Sequence, residues 1–426
     1  MFKFIAGRSR GQFLRLLMLL CGMAAAVASQ AAELTLEDAE VLALREDPLL
    51  RSVESKSESL RELAVAGEQW PDPMLRMGLM SLPTDSWRLG REPMTQVQVG
   101  LSQKFPRGQS HALKAEQLLE KSQVLDETFN DQRLRIVMAV REDYLEVLKQ
   151  IGRAEINAAA IAAFSELSDI TQDYYSTGRV QQQDVLRAAV ELAKAEDRAA
   201  RIAQEEERAR ARLASWIGAA AMGEFEQGWP RLESPAGLDE IARRLAEHPR
   251  IAAMQQQVTA AETGVELARQ RYKPEFGVDL VYGGRGGENP DGTSRSDLFS
   301  VMVMMDLPLF HKNRQDRVVA ASVAESSAAL FDRDDTYRRM RSEVQFHSAT
   351  LQRQQQRLRL FETSLLPDAG FNAEAAFEAY QSALDSLTTL MRARITEFEL
   401  QLEHVELQAE LMKTRVRLLY LEGEPG

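Results

Sequence analysis

Apolar residues fall in two alternating rhythms along this chain. In "EQWPDPMLRMGL" (68–79) a helix-forming run stops at two prolines, and then Leu75, Met77 and Leu79 alternate with Arg76 and Gly78, the period of a strand with one apolar face. Val97, Val99 and Leu101 repeat the pattern, alternating with Gln98, Gly100 and Ser102. Elsewhere the rhythm is helical. Val137, Val140, Tyr144, Val147 and Ile151 step by three and four, as do Ile395, Phe398, Leu402, Val405, Ala409, Met412, Val416 and Leu419, the seam of a coiled coil. No proline interrupts the chain between Pro106 and Pro230. A helix from about Ser110 to Tyr175 is therefore predicted, roughly 100 Å long at ~1.5 Å per residue. Pro367 predicts a kink or break in a second long helix. Alanines crowd 188–200 (Ala188, Ala189, Ala193, Ala195, Ala199, Ala200), where helices could approach closely. Thr35 followed by Asp38 resembles a capping box at a helix start.

The pattern occurs twice. "EDPLLRS" at 46 is echoed by "EHPRIAA" at 247, and Leu75, Met77 and Leu79 by Phe276, Val278 and Leu280 at a shift of 201. Phe299, Val301 and Val303 supply a second strand in the second half, and "YYSTGRVQQQDVLRA" (174–188) aligns with "AYQSALDSLTTLMRA" (379–393) at a shift of 205. This is an internal duplication. Residues 32–218 form the first repeat, 219–237 a linker rich in Gly, Pro and small polar residues, and 238–426 the second repeat. Each half reads helix, strand, loop, strand, very long helix, turn, helix. The fold class is mainly α with a small β part.

Four strands cannot close a barrel, and an open sheet in lipid leaves backbone groups unsatisfied. If the strands lie in a membrane, several chains must share one barrel, and three chains of four give twelve strands. Apolar-out, polar-in alternation suits lipid outside and water inside. Two hairpins packed on helices in a soluble domain would show the same pattern.

The N-terminus decides the compartment. Lys3, Arg8, Arg10 and Arg15 precede the apolar "LLMLLCGMAAAVA" and small residues at 26–31, a secretory signal peptide spanning 1–31 and cut after Ala28 or Ala31. Cys21 is the only cysteine and lies in that leader; the bulky Leu20 before it argues against a lipid anchor there. Losing the four basic residues takes the formal charge from −12 to −16, which disfavours nucleic acid and favours cations. No later segment has the ~18 apolar residues of a spanning helix. Past the leader, whose GRSRG run (7–11) is the one G-x-S-x-G match, the mature chain has no G-x-S-x-G, no Walker loop, no H-E-x-x-H and no thiol, so no enzyme and no cofactor are expected.

Over essentially the whole mature chain these motifs resemble the TolC-like outer-membrane efflux proteins. "LTLEDAEVLALREDP" is similar to that family's opening segment, and Tyr175, Gly178, Asp184, Val185 and Leu186 to its helix-turn segment. "PDPMLRMGLMSLPTDS" with "EPMTQVQVGLSQKFPRG" resembles the outer-membrane components of heavy-metal cation efflux systems, of the cobalt-zinc-cadmium or copper/silver type. The resemblance implies a homotrimer, with a twelve-stranded barrel in the bacterial outer membrane and an α-helical tube across the periplasm. It also implies docking to a periplasmic adaptor and an inner-membrane pump of the resistance-nodulation-division type, this chain being a passive duct. Carried over by position, Tyr175, Gly178, Arg179 and Asp184, with Tyr380 and Asp385, would lie at the periplasmic gate. One carboxylate per chain would make a ring of three that concentrates cations. The bland alternative for Asp184 is a carboxylate at a helix N-terminus. In the second half Ala383 replaces the turn glycine and Thr389 stands in place of Asp184.

Met74, Met80, Met302 and Met304 share strand parity with polar neighbours. Thioethers bind soft Cu(I), though Met more often fills gaps. His111, His248, His311, His347 and His404 lack ligand spacing and read as lone surface or turn residues. Trp87 and Tyr282 near strand ends are candidate interfacial aromatics. The alternative from a different class is a secreted periplasmic coiled-coil scaffold or adaptor-like protein without a channel.

Overall fold

The computed structural model describes residues 33–45 and 47–423; the leader, its cleavage sites and Cys21 lie outside them. The element order is α1 (Leu36–Arg45), α2 (Pro48–Glu68), β1 (Met74–Met80), β2 (Gln96–Phe105), α3 (Ser110–Ser176), α4 (Gln182–Ile217), α5 (Leu238–Arg244), α6 (Pro249–Arg269), β3 (Phe276–Gly284), β4 (Leu298–Met305), α7 (Gln315–Leu360), α8 (Leu366–Gln381) and α9 (Leu387–Glu422). Contacts divide the chain into two compact units, residues 33–45, 139–232 and 355–413 in one and residues 47–138, 233–354 and 414–423 in the other. Each draws on both sequence repeats, and the 67-residue helix α3 contributes to both.

The second unit holds the sheet. Its order is β1-β2-β3-β4, antiparallel throughout, so the hairpins of the two repeats join through β2 and β3. The register aligns Met77, Val99, Tyr282 and Phe299 in one row, and Leu75, Leu101, Leu280 and Val301 in the next. Its helical core gathers Leu134, Ile241, Leu245, Ile251, Met340, Val344 and Leu418.

Asp47 caps α2, its Oδ1 accepting from the Leu49 and Leu50 amides at 2.9 Å. At the equivalent start of α6 stands His248, whose Nδ1 accepts from the Arg250 amide at 3.1 Å. Its Nε2 faces the Tyr420 carbonyl at 2.9 Å. His248 is 1% exposed, which corrects the reading of all five histidines as lone surface or turn residues. An acceptor was needed at this cap, and a neutral imidazole supplies one.

The first unit is an α-helical layer packed around Phe164, Leu167, Ala195, Tyr380, Leu390 and Phe398. The first described segment reaches it through a bridge between Leu34 and Phe225, with the Tyr144 hydroxyl donating to the Leu34 carbonyl at 2.7 Å. Thr35 Oγ1 accepts from the Asp38 amide at 3.1 Å, giving the N-cap half of the expected box. Along α4, buried Ala188, Ala195, Ile202 and Ala209 recur every seven residues, a strict heptad. Ala189, Ala193 and Ala200 are exposed; close approach uses only the seam, not the whole alanine-rich stretch. At Pro367 the helix widens instead of breaking. Phe361–Leu365 forms a π-turn in which the Leu366 amide donates to Phe361 O, absorbing the amide that proline lacks.

Candidate functional site

The sheet comes first, because its polarity is inverted. In a water-soluble sheet the apolar face is covered. Here Leu75, Met77, Leu79, Val97, Val99, Leu101, Leu280, Tyr282, Phe299, Val301 and Val303 share one face, and every one is exposed. The opposite face carries the buried groups: Ser102 at 4% exposure, Asp279 at 3%, and Gly100 and Gly277. Arg76 reaches across it to Asp279 at 2.7 Å. Gly100 is the register partner of Arg76, and a Cβ there would meet Val281 Cγ2 at 3.1 Å. Met74, Met80, Met302 and Met304 lie on this polar-side face by register.

Each uncovered apolar side chain forgoes about 1 kcal/mol or more of hydrophobic stabilisation. Eleven of them forgo a sum comparable to the whole stability of a domain, about 5–15 kcal/mol. No described helix is long and apolar enough to cross a membrane; the apolar surface sits on strands. Among the described residues, β1 and β4 also end the sheet with unpaired edges.

The helical turns of the first unit form the second feature. After α3 the Gly178 amide donates to Tyr175 O (2.9 Å) and the Arg179 amide to Tyr174 O (2.8 Å), a Schellman turn with Gly178 at φ +71°. After α8 the Ala383 amide donates to Tyr380 O (3.0 Å) and the Leu384 amide to Ala379 O (2.9 Å), the same turn 205 residues on. Ala383 adopts φ +55°, so an alanine occupies a left-handed position where its counterpart is glycine.

The turns touch. The Tyr174 and Tyr380 rings lie 6.0 Å apart, the Arg179 guanidinium covers Tyr174 at 5.5 Å, and Arg187 donates to the Thr388 hydroxyl. Tyr380 is 5% exposed, and its hydroxyl finds no hydrogen-bond partner among the described residues. Burial, with Tyr174 and Asp184 nearby, pushes its pKa up. Asp184 sits in the first turn of α4, its Oδ2 accepting from the Gln181 amide at 3.3 Å, so it does stabilise a helix N-terminus. Asp385 is exposed and accepts from the Ser386 amide at 2.6 Å. Tyr175 is 44% exposed.

The structure therefore brings Tyr380, Arg179 and Gly178 together around Tyr174, which the sequence reading missed. The signal was present. Ala160, Phe164, Leu167, Thr171 and Tyr174 continue a four-three seam, and the first four are buried; that seam reaches Tyr174, not Tyr175. Among the described residues no cluster of His, Cys, Asp and Glu is arranged to hold a metal ion.

Residues 241–424 match the model of a family described as outer membrane efflux protein. No curated protein sequence matches this chain. Solved structures share the fold. A membrane protein from Pseudomonas aeruginosa is 16% identical with a TM-score of 0.79, covering 91% of this chain and 90% of that one. CusC, described for conformational changes accompanying folding and transmembrane channel formation, is 14% identical with a TM-score of 0.77 over 92% of both chains. VceC, an outer membrane protein of Vibrio cholerae, is 17% identical with a TM-score of 0.77, covering 91% of this chain and 96% of that one. At these identities the likeness speaks for the fold: a mainly helical chain with one small sheet, shared with outer-membrane channels.

Proposed function

We propose that this chain is a member of the outer-membrane efflux channels and forms the passive exit duct of a tripartite pump. The observation that carries the reading is the inverted sheet, its apolar face exposed and its buried Ser102 and Asp279 on the polar face, with no spanning helix among the described residues. Four strands per chain is an even number. β4 of one copy can therefore pair with β1 of the next while the antiparallel alternation continues, and three copies close twelve strands with no free edge. Helix α7 supports the same assembly: over 46 residues only Met340 and Val344 are buried, while Val323, Phe331, Phe346 and Leu360 are exposed. The family match over 241–424 and the shared fold agree.

In this reading the protein leaves the cytoplasm by its signal peptide and lodges in the bacterial outer membrane. Its helices extend into the periplasm to meet an adaptor and an inner-membrane pump of the resistance-nodulation-division type, which supplies the energy. The paired turns at Gly178 and Ala383 form the periplasmic mouth, with Asp184 from each copy giving a ring of three carboxylates. The cargo is heavy-metal cations, supported by the likeness of 71–108 to the metal-exporting branch and by the acidic mature chain. A secreted scaffold without a channel has no use for a sheet with its apolar face outward.

The test is conductance across a planar bilayer. The purified protein should give discrete cation-selective steps, and Asp184→Asn should lower the cation preference without abolishing insertion. Absence of any conductance from protein shown to be inserted would overturn the duct.

A further inference from the structure

The sheet ends, on the side where the helices join it, in a row formed by Phe105, Phe276 and Met305 in register. Trp70 packs edge-on against Phe105 with centroids 5.3 Å apart and is 64% exposed. Past β4 the chain continues through Leu307, Leu309 and Phe310, which are 61%, 67% and 82% exposed. An apolar tract this open is out of place in water.

Cations follow immediately. Segments 104–107, 271–275 and 306–317 hold Lys104, Arg107, Arg271, Lys273, Lys312, Arg314 and Arg317 against Glu275, Asp306 and Asp316. That local excess of positive charge stands out in a chain of net charge −12.

The three carboxylates are already engaged. Asp306 takes Arg107 at 2.5 Å, and Glu275 also lies beside Arg107 at 3.6 Å. Asp316 accepts from the Tyr272 hydroxyl at 2.6 Å and sits 3.1 Å from His311 Nδ1. Lys104, Lys273, Lys312 and Arg314 are exposed, and no carboxylate among the described residues pairs with them.

The order outward along the strands is aliphatic face, aromatic and apolar rim, then cations without counter-ions. That is the order of hydrocarbon, interface and phosphate in a bilayer. We infer that this rim is a binding surface for anionic phospholipid headgroups, with Phe310 and Trp70 seated at the interface and Lys273, Lys312 and Arg314 on the phosphates. The inference rests on the membrane reading of the sheet. It goes further by giving one end of the sheet a lipid class. Phospholipid is the source because this end carries the helices, which that reading places in the periplasm.

The test is native mass spectrometry of the full-length protein in detergent with equal amounts of phosphatidylglycerol and phosphatidylethanolamine of matched chains. The wild type should retain the anionic lipid at least about fivefold more often, the factor that a single basic side chain near the membrane surface supports. Lys273→Gln, Lys312→Gln and Arg314→Gln together should bring the ratio close to one, and Lys312→Arg alone should leave it high. Equal retention by the wild type, or an unchanged ratio in the threefold variant, overturns the inference. Flotation of both proteins with phosphatidylcholine vesicles separates the two levels. Protein that floats without lipid preference sinks only the headgroup surface, whereas protein that never floats sinks the membrane reading as well.

Discussion

At position 248 a histidine does the work that an aspartate does at position 47. Both residues cap a helix that begins with proline, but the imidazole can accept the Arg250 amide only while Nδ1 is unprotonated. Burial lowers the pKa of His248; the Tyr420 carbonyl and Asp131 work in the opposite direction, and Arg250 and Arg135 add to the lowering. Because the folded pKa lies below the ordinary value of 6.5, the unfolded chain takes up the proton first. Stability is then full above about pH 6.5 and falls as the pH drops through and below that value. Unfolding followed from pH 8 to 5 should show this decline, and His248→Asn, which keeps an acceptor without titrating, should flatten it. An unchanged slope in the variant would assign the acid sensitivity elsewhere. The two turns give a second paired comparison. Gly178→Ala should cost about 1 kcal/mol because it forces a left-handed alanine. Ala383→Gly should be neutral or stabilise by up to about 1 kcal/mol, the relieved strain being offset by glycine's greater unfolded entropy. Thermal unfolding of the two variants should therefore shift in opposite directions or leave only Ala383→Gly unmoved.

Among the elements, the strands carry the account, and their two faces make opposite predictions. Val99→Lys places a charge on the exposed apolar face and should cost about 2–4 kcal/mol of stability in the bilayer. Gln98→Lys, one residue away on the polar face, should cost little. Urea unfolding from lipid vesicles reads the difference; equal effects would show that neither face meets lipid. Strands and helix spans were legible because they are local and periodic. Alternation placed β1 to β4, proline absence set the length of α3, and the shift of 205 found two turns that share the same hydrogen bonds. The joining of the two hairpins through β2 and β3 was not legible, since periodicity says which face is apolar and nothing about which strand is the neighbour. Tyr174 was missed for a related reason. Aligning the repeats matched Tyr175 with Tyr380, but the packing seam within α3 decides which tyrosine is turned inward, and the two halves are not equivalent there. His248 escaped notice because a lone histidine carries no pattern; only its equivalence to Asp47 across the duplication marked it as a cap.

For the molecule as a whole, one copy leaves large apolar surfaces uncovered. The sheet has two open edges, its apolar face is uncovered, and α7 buries two residues in 46. The proposed assembly of three copies in a membrane would remove each deficit, so the proposal stands on the assembly and not on any one side chain. The mass of the detergent-extracted protein from the outer-membrane fraction, by light scattering corrected for bound detergent, tests it most directly. The account predicts a mass of three chains. A soluble monomer or dimer recovered without detergent would contradict it.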